Sequence, residues 1–166
     1  MSNKFFAPDG KRPMSRKSGV LLHLTSLPTH YGIGDMGPSA YRFADFLHAS
    51  GQKLWQILPF NPAHPGNCNS PYQCDSAFAL NPLSISPELL IQESLVHRDE
   101  LNSWPDFPRD RVEFNDVIAC KKKIFAIAHR RFKSWGYNHE HEKFCADNRY
   151  WLDDYALYVA AKSHFS

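Results

Sequence analysis

The sequence predicts an α/β fold built on parallel strands, and three observations carry this. Residues 19–24, Gly-Val-Leu-Leu-His-Leu, form a short and nearly continuous apolar run, the pattern of a strand buried on both faces. Residues 53–58, Lys-Leu-Trp-Gln-Ile-Leu, form a second strand-like run. Between them Tyr41, Ala44 and Leu47, with Phe43 and Phe46 alongside, repeat at helical spacing. Strand, helix and strand within residues 19–60 make one βαβ unit of the expected size, with parallel strands and a right-handed crossover. Two parallel strands would keep open edges and do not form a stable architecture by themselves. The chain therefore reads as the opening of something larger.

Each element has local reasons. Residues 1–18 are polar, with Pro8, Gly10 and Pro13, and are expected to be a flexible arm. They lack the apolar core of a signal peptide. Pro38 suits the first position of a helix and Gly51 its end. Residues 61–87 form a long loop. Residues 88–166 read as a mainly helical insertion. Pro87 opens a short helix through Leu90 and Ile91, after a stretch at 83–86 that reads as extended. Residues 102–108 break regularity. From Asn115 the residues Val117, Cys120, Ile124, Ala128 and Phe132 mark a long amphipathic helix that stops at Gly136. Lys121, Lys122 and Lys123 are expected on its solvated face. His139-Glu140-His141-Glu142 reads as a polar turn rather than a metal site, because i and i+2 do not share a helix face. A last helix is expected over 148–164, burying Trp151, Tyr155 and Val159.

Composition narrows the function. Of 166 residues, 43% are hydrophobic and 22% charged, and the net charge is +2. This is ordinary for a soluble protein and argues against a nucleic-acid or membrane partner; no apolar run reaches transmembrane length. Cys68, Cys74, Cys120 and Cys145 form no Cys-x-x-Cys pair, so free thiols in a reducing cytoplasm are expected and no metal site is. Gly32-x-Gly34-x-x-Gly37 matches a dinucleotide fingerprint formally. It stands well past its strand, after Pro28, and no acidic ribose-binding residue closes a following strand, so no nucleotide cofactor is expected. His23 is expected to be a hydrogen-bonded core histidine.

The chemistry is concentrated in residues 69–82, Asn-Ser-Pro-Tyr-Gln-Cys-Asp-Ser-Ala-Phe-Ala-Leu-Asn-Pro. Pro71 and Pro82 bar regular structure, while Asn, Ser and Asp favour turns. A loop this rich in aromatics, hydroxyls and amides, hanging from a strand's C-terminal end, is placed to bind a small polar molecule. A catalytic enzyme segment, a non-catalytic binding module and a helical scaffold remain the three classes; the loop speaks against the scaffold.

Several linked motifs then resemble the N-terminal part of the 4-alpha-glucanotransferases (amylomaltases, glycoside hydrolase family 77). They are Ser18-Gly19-Val20-Leu21-Leu22-His23-Leu24-Thr25-Ser26-Leu27-Pro28, Tyr31-Gly32-Ile33-Gly34-Asp35, Trp55-Gln56-Ile57-Leu58-Pro59, Ser70-Pro71-Tyr72-Gln73, Ser76-Ala77-Phe78-Ala79 and Trp151-Leu152-Asp153-Asp154-Tyr155-Ala156-Leu157. The resemblance implies a (β/α)₈ TIM barrel with helical insertions, of which this chain supplies the first two strands. It implies cytoplasmic transfer of α-1,4-glucan segments between malto-oligosaccharides with retention at the anomeric carbon, and no cofactor. The catalytic carboxylates of the family lie on later strands, so the resemblance assigns no catalytic residue here. It assigns Ser70 and Tyr72 to substrate binding. The aromatic that some members carry just ahead of Ser-Pro-Tyr has no counterpart in residues 64–69, which removes the ground for expecting a secondary glucan site. A glucan-binding module without catalysis, or a gene remnant, is the alternative.

Overall fold

The computed structural model describes residues 16–63, 66 and 68–165. The N-terminal arm expected at 1–18 lies almost wholly outside them. Two strands, β1 (Gly19–Leu21) and β2 (Leu54–Gln56), pair in parallel, with Gly19 opposite Leu54, Val20 opposite Trp55 and Leu21 opposite Gln56. They are joined through helix α1 (Pro38–Ala49). Gly19 is forced by the pairing, because a Cβ there would lie 2.5 Å from the Leu54 carbonyl oxygen.

Helix α1 starts and stops on the residues expected. Pro38 sits in its first turn behind Gly37, where the missing N–H costs nothing. At the other end Gly51 takes φ 72°, its N–H donates to the His48 carbonyl, and that of Gln52 donates to the Leu47 carbonyl. These are the two bonds of a Schellman stop. Helix α2 (Pro87–Gln92) again opens on proline. Helix α3 runs over Phe114–Trp135 and ends at Gly136, φ 82°. Of the 83–86 stretch only Ile85 and Ser86 are extended. Asn81 caps a 3₁₀ turn at Pro82–Ser84, its side-chain oxygen accepting from the Leu83 N–H at 3.0 Å.

Helix α4 (His139–Phe165) begins nine residues before the expected start and absorbs the segment read as a polar turn. Three things hold its first turn. Asn138 Oδ1 accepts from the His141 N–H at 2.9 Å, Glu140 and Glu142 suit the positive end of the helix dipole, and the His141 ring stacks on Tyr137 with centroids 4.4 Å apart.

The core lies among the helices rather than under the strands. Val96, Ile124 and Ala128 are buried and packed by Leu90, Ile91, Leu95, Leu101, Trp104 and Phe125, which joins α2 and α3 through the 93–104 connection. Leu24, Leu27 and Ile33 in the loop after β1 and Leu47 of α1 are buried as well. Around the strands apolar surface stays open: Leu21 is 58% exposed and Leu54 52%, while Val20 and Leu22 are half-buried. On α4 no residue is buried; Trp151 and Tyr155 are half-covered and Val159 is exposed, so the expected buried stripe is only a partial one.

Lys121 overturns the solvated-face expectation. It is fully buried, in line with Val117, Ile124 and Ala128 on the inner face of α3. Its ammonium donates to the carbonyls of Leu83 (2.6 Å) and Ile85 (2.9 Å) and stands 3.7 Å from Asp35 Oδ2. A lysine survives burial only with such partners. Burial pushes its pKa down to about 8, against the pull of Asp35. Burial likewise raises the Asp35 carboxyl, against the pull of Lys121.

Candidate functional site: the loop beyond the second strand

The loop leaves the C-terminal end of β2 and is anchored at its two feet. The Asn81 N–H donates to the Phe60 carbonyl at 2.9 Å, and Asn61 Nδ2 donates to the Ala79 carbonyl at 3.1 Å. An isolated antiparallel bridge joins Ala63 to Cys74. Near the tip, Cys68 and Asn69 take left-handed backbone (φ 52° and 54°), which reverses the chain just before Ser70-Pro71-Tyr72. Within that turn the Gln73 N–H donates to the Ser70 carbonyl at 3.3 Å, and the Tyr72 N–H reaches Ser70 Oγ at 3.4 Å. On the far limb Ser76 Oγ accepts from the N–H groups of Phe78 and Ala79 at 3.2 and 3.1 Å. The hydroxyls of this loop therefore shape its backbone.

Ser70 and Tyr72 stand on one turn. Ser70 is half-buried, and Tyr72 is 70% exposed. A core role for Tyr72 within this chain is thus absent; its ring and hydroxyl face outward. The residues 64, 65 and 67 just ahead lie outside those described.

The tertiary structure decides what stands beside the loop. Helix α4 closes one side of it. Phe78 stacks on Trp151 (centroids 6.0 Å) and meets Tyr150 edge-on (5.6 Å). Asp75 accepts from Lys162 Nζ at 2.8 Å and from the Tyr158 hydroxyl at 3.3 Å. An open cavity of about 420 Å³ lies between the 75–78 limb and Trp151, Asp154, Tyr155 and Tyr158 of α4. The hydrogen bonds that its ammonium donates to Asp75 and Tyr158 raise the Lys162 pKa, and partial burial and then the Asp75 charge raise that of Tyr155. The spacing of Tyr158 and Lys162 on one helix face was a legible signal for a shared acidic partner, but not for which one.

Two other candidates resolve differently. The glycine-rich loop uses its glycines for packing. A Cβ on Gly34 would lie 1.9 Å from the Leu24 carbonyl oxygen, one on Gly32 would strike the Phe107 ring at 2.4 Å, and one on Gly37 would meet Ser86 Oγ at 2.2 Å. Asp35 Oδ1 accepts from the Gly37 N–H at 3.0 Å. A polar cavity of about 580 Å³ opens beside this loop, lined among others by Thr25, Ser39, Arg42, Ser86 and Arg109. His23 is not the hydrogen-bonded histidine expected. Among the described residues its buried Nδ1 has no partner, its ring meets Phe60 edge-on at 6.2 Å, and burial lowers its pKa.

Fold and loop together define a parallel α/β protein that presents a polar, aromatic loop at the ends of its strands. Comparison with known proteins makes this specific. A family model described as 4-alpha-glucanotransferase, of glycoside hydrolase family 77, matches residues 22–166, and the chain belongs to that family. It is 44% identical over 147 residues to the 4-alpha-glucanotransferase of Aquifex aeolicus, covering 89% of this chain and 29% of that protein. It is 42% identical over 150 residues to that of Synechocystis, with the same coverage. Among solved structures it is similar to the amylomaltase from Streptococcus agalactiae in complex with acarbose, with a TM-score of 0.79 and 35% identity over 91% of this chain and 30% of the other. The chain spans about 30% of the length of these relatives.

Proposed function

We propose that this chain is the N-terminal part of a cytoplasmic 4-alpha-glucanotransferase, contributing the first two strands of a (β/α)₈ barrel and one wall of its glucan site. The family match over residues 22–166, a span that includes the loop at 69–82, supports this most directly. The substrates are α-1,4-glucans and malto-oligosaccharides. In the retaining mechanism a carboxylate attacks the anomeric carbon while a carboxylic acid protonates the leaving glucan oxygen. The acceptor hydroxyl then displaces the enzyme carboxylate and returns its proton to the same acid/base. Those carboxylates belong to later strands of the barrel. The share of this chain is binding: Tyr72 offers a ring face and a hydroxyl to a sugar, and Ser70, on the same turn, lines the site beside it.

The test is disproportionation of maltotriose. The complete gene product should yield shorter and longer oligosaccharides, and the 166-residue chain alone should yield none. In the complete product Tyr72→Ala should lower transfer at least about tenfold, while its melting shifts by no more than about 0.5 kcal/mol, as for an exposed side chain. A complete product that binds maltoheptaose but transfers nothing would mark a binding module instead. A Tyr72→Ala protein that melts much earlier yet keeps its specific activity would show that the tyrosine is structural.

A further inference from the structure

We propose that Lys162 and Tyr158 of α4 are positioning residues for the glucan-binding loop, acting on it through Asp75. This rests on the functional reading of Ser70 and Tyr72 given above. Asp75 follows Tyr72 by three residues on the same loop. Its carboxylate takes one hydrogen bond from each α4 residue, and those two are themselves joined, Lys162 Nζ to the Tyr158 hydroxyl at 3.1 Å. The ammonium also lies 5.3 Å from the centre of the Tyr158 ring. Three groups thus hold one another, and the side chains of Lys162 and Asp75 are only about a third exposed.

The rest of the limb is held from the same helix. Phe78 rests on Trp151 and Tyr150, so α4 grips the loop at two points, one polar and one aromatic. The feet of the loop are held separately, at Phe60 and Ala79. Among the described residues the turn at 70–73 has only its own weak internal bonds, at 3.3 and 3.4 Å. An exposed tyrosine on a turn so loosely tied samples many orientations. Fixing the limb three residues away removes part of that freedom before a sugar arrives, and ordering in advance raises affinity. Lys162 and Tyr158 need not touch the sugar to do this.

The experiment uses the complete gene product and three variants: Lys162→Met, Lys162→Arg and Asp75→Asn. Two measurements are made, amide hydrogen exchange across residues 70–79 and maltotriose kinetics. Lys162→Met should speed exchange in 70–79 by about two- to fivefold, the range of a partly exposed ion pair, and leave α1 and α3 unchanged. It should raise KM by a similar factor while kcat changes less, and Lys162→Arg should restore both. Asp75→Asn should match Lys162→Met, and the double variant should add nothing further. Added salt should raise KM in the parent but not in Lys162→Met. Unchanged loop exchange in Lys162→Met overturns the proposal, as does faster exchange with an unchanged KM. A parent without transfer activity refutes instead the functional reading, and with it any role in catalysis for the clamp.

Discussion

Replacing Lys121 by methionine removes one charge from the interior of the protein and keeps most of the side-chain volume. The loss is electrostatic. The Leu83 and Ile85 carbonyls lose their donor, and Asp35 keeps its backbone bond from Gly37 but loses the one cation that the described residues place against it. Breaking a buried pair from one side costs about 3–5 kcal/mol, a large share of a typical net stability of roughly 5–15 kcal/mol. The cost should depend on pH. In the variant the folded-state pKa of Asp35, already raised by burial, rises further because the largest opposing influence is gone. A carboxyl raised on folding is most stabilising below its unfolded value, near 3.8, and loses that stability as pH rises toward the folded value. The penalty of Lys121→Met should therefore be full at pH 7.5 and clearly smaller at pH 4. Alkaline titration gives a second reading. In the parent, unfolded Lys121 holds its proton to about 10.5 but the folded form only to about 8. The unfolded state then binds more protons in that window, and this group makes stability rise with pH there; the variant lacks the contribution. Urea melts at pH 4, 7.5 and 9.5 decide it. A cost under about 1 kcal/mol at pH 7.5, or the same cost at pH 4, would refute the view of Lys121 as a charged and paired core residue.

Two further outcomes follow from packing. Gly34→Ala should cost more than about 1–3 kcal/mol, the usual range for overpacking, because its Cβ would overlap the Leu24 carbonyl. Gly51→Ala, with left-handed backbone and open space, should cost only about 1–2 kcal/mol; thermal melts that reverse this order would show the close approach at Gly34 to be relaxed in solution. For the 166-residue chain alone, amides of residues 20–24 and 54–58 should exchange faster than those of α3, because the two-stranded sheet leaves open edges and exposed Leu21 and Leu54. Slowest exchange in the strands, in a monomer, would show the sheet to be self-sufficient.

The elements whose causes are local were legible in the residues alone. Pro38, Gly51, Pro87 and Gly136 bracket helices because proline and glycine act on their own backbone. The periods of α1 and α3 and the apolar runs of both strands follow from side-chain alternation within one element. The motif order also carried the family. What the tertiary structure decided is which distant partner each polar group meets. Lys121 sits in the inner stripe of α3, spaced four residues from Val117 and three from Ile124, yet hydropathy assigns any lysine to water. Only the folded loop, bringing Asp35 and the carbonyls of Leu83 and Ile85 to its ammonium, makes its burial tolerable. The early start of α4, by contrast, rests on contacts within four residues, the Tyr137–His141 stack and the Asn138 cap. Asp75 and Lys162 lie 87 residues apart. Their pairing follows from where α4 packs, since a charge attracts every opposite charge alike and only the fold selects the one within reach.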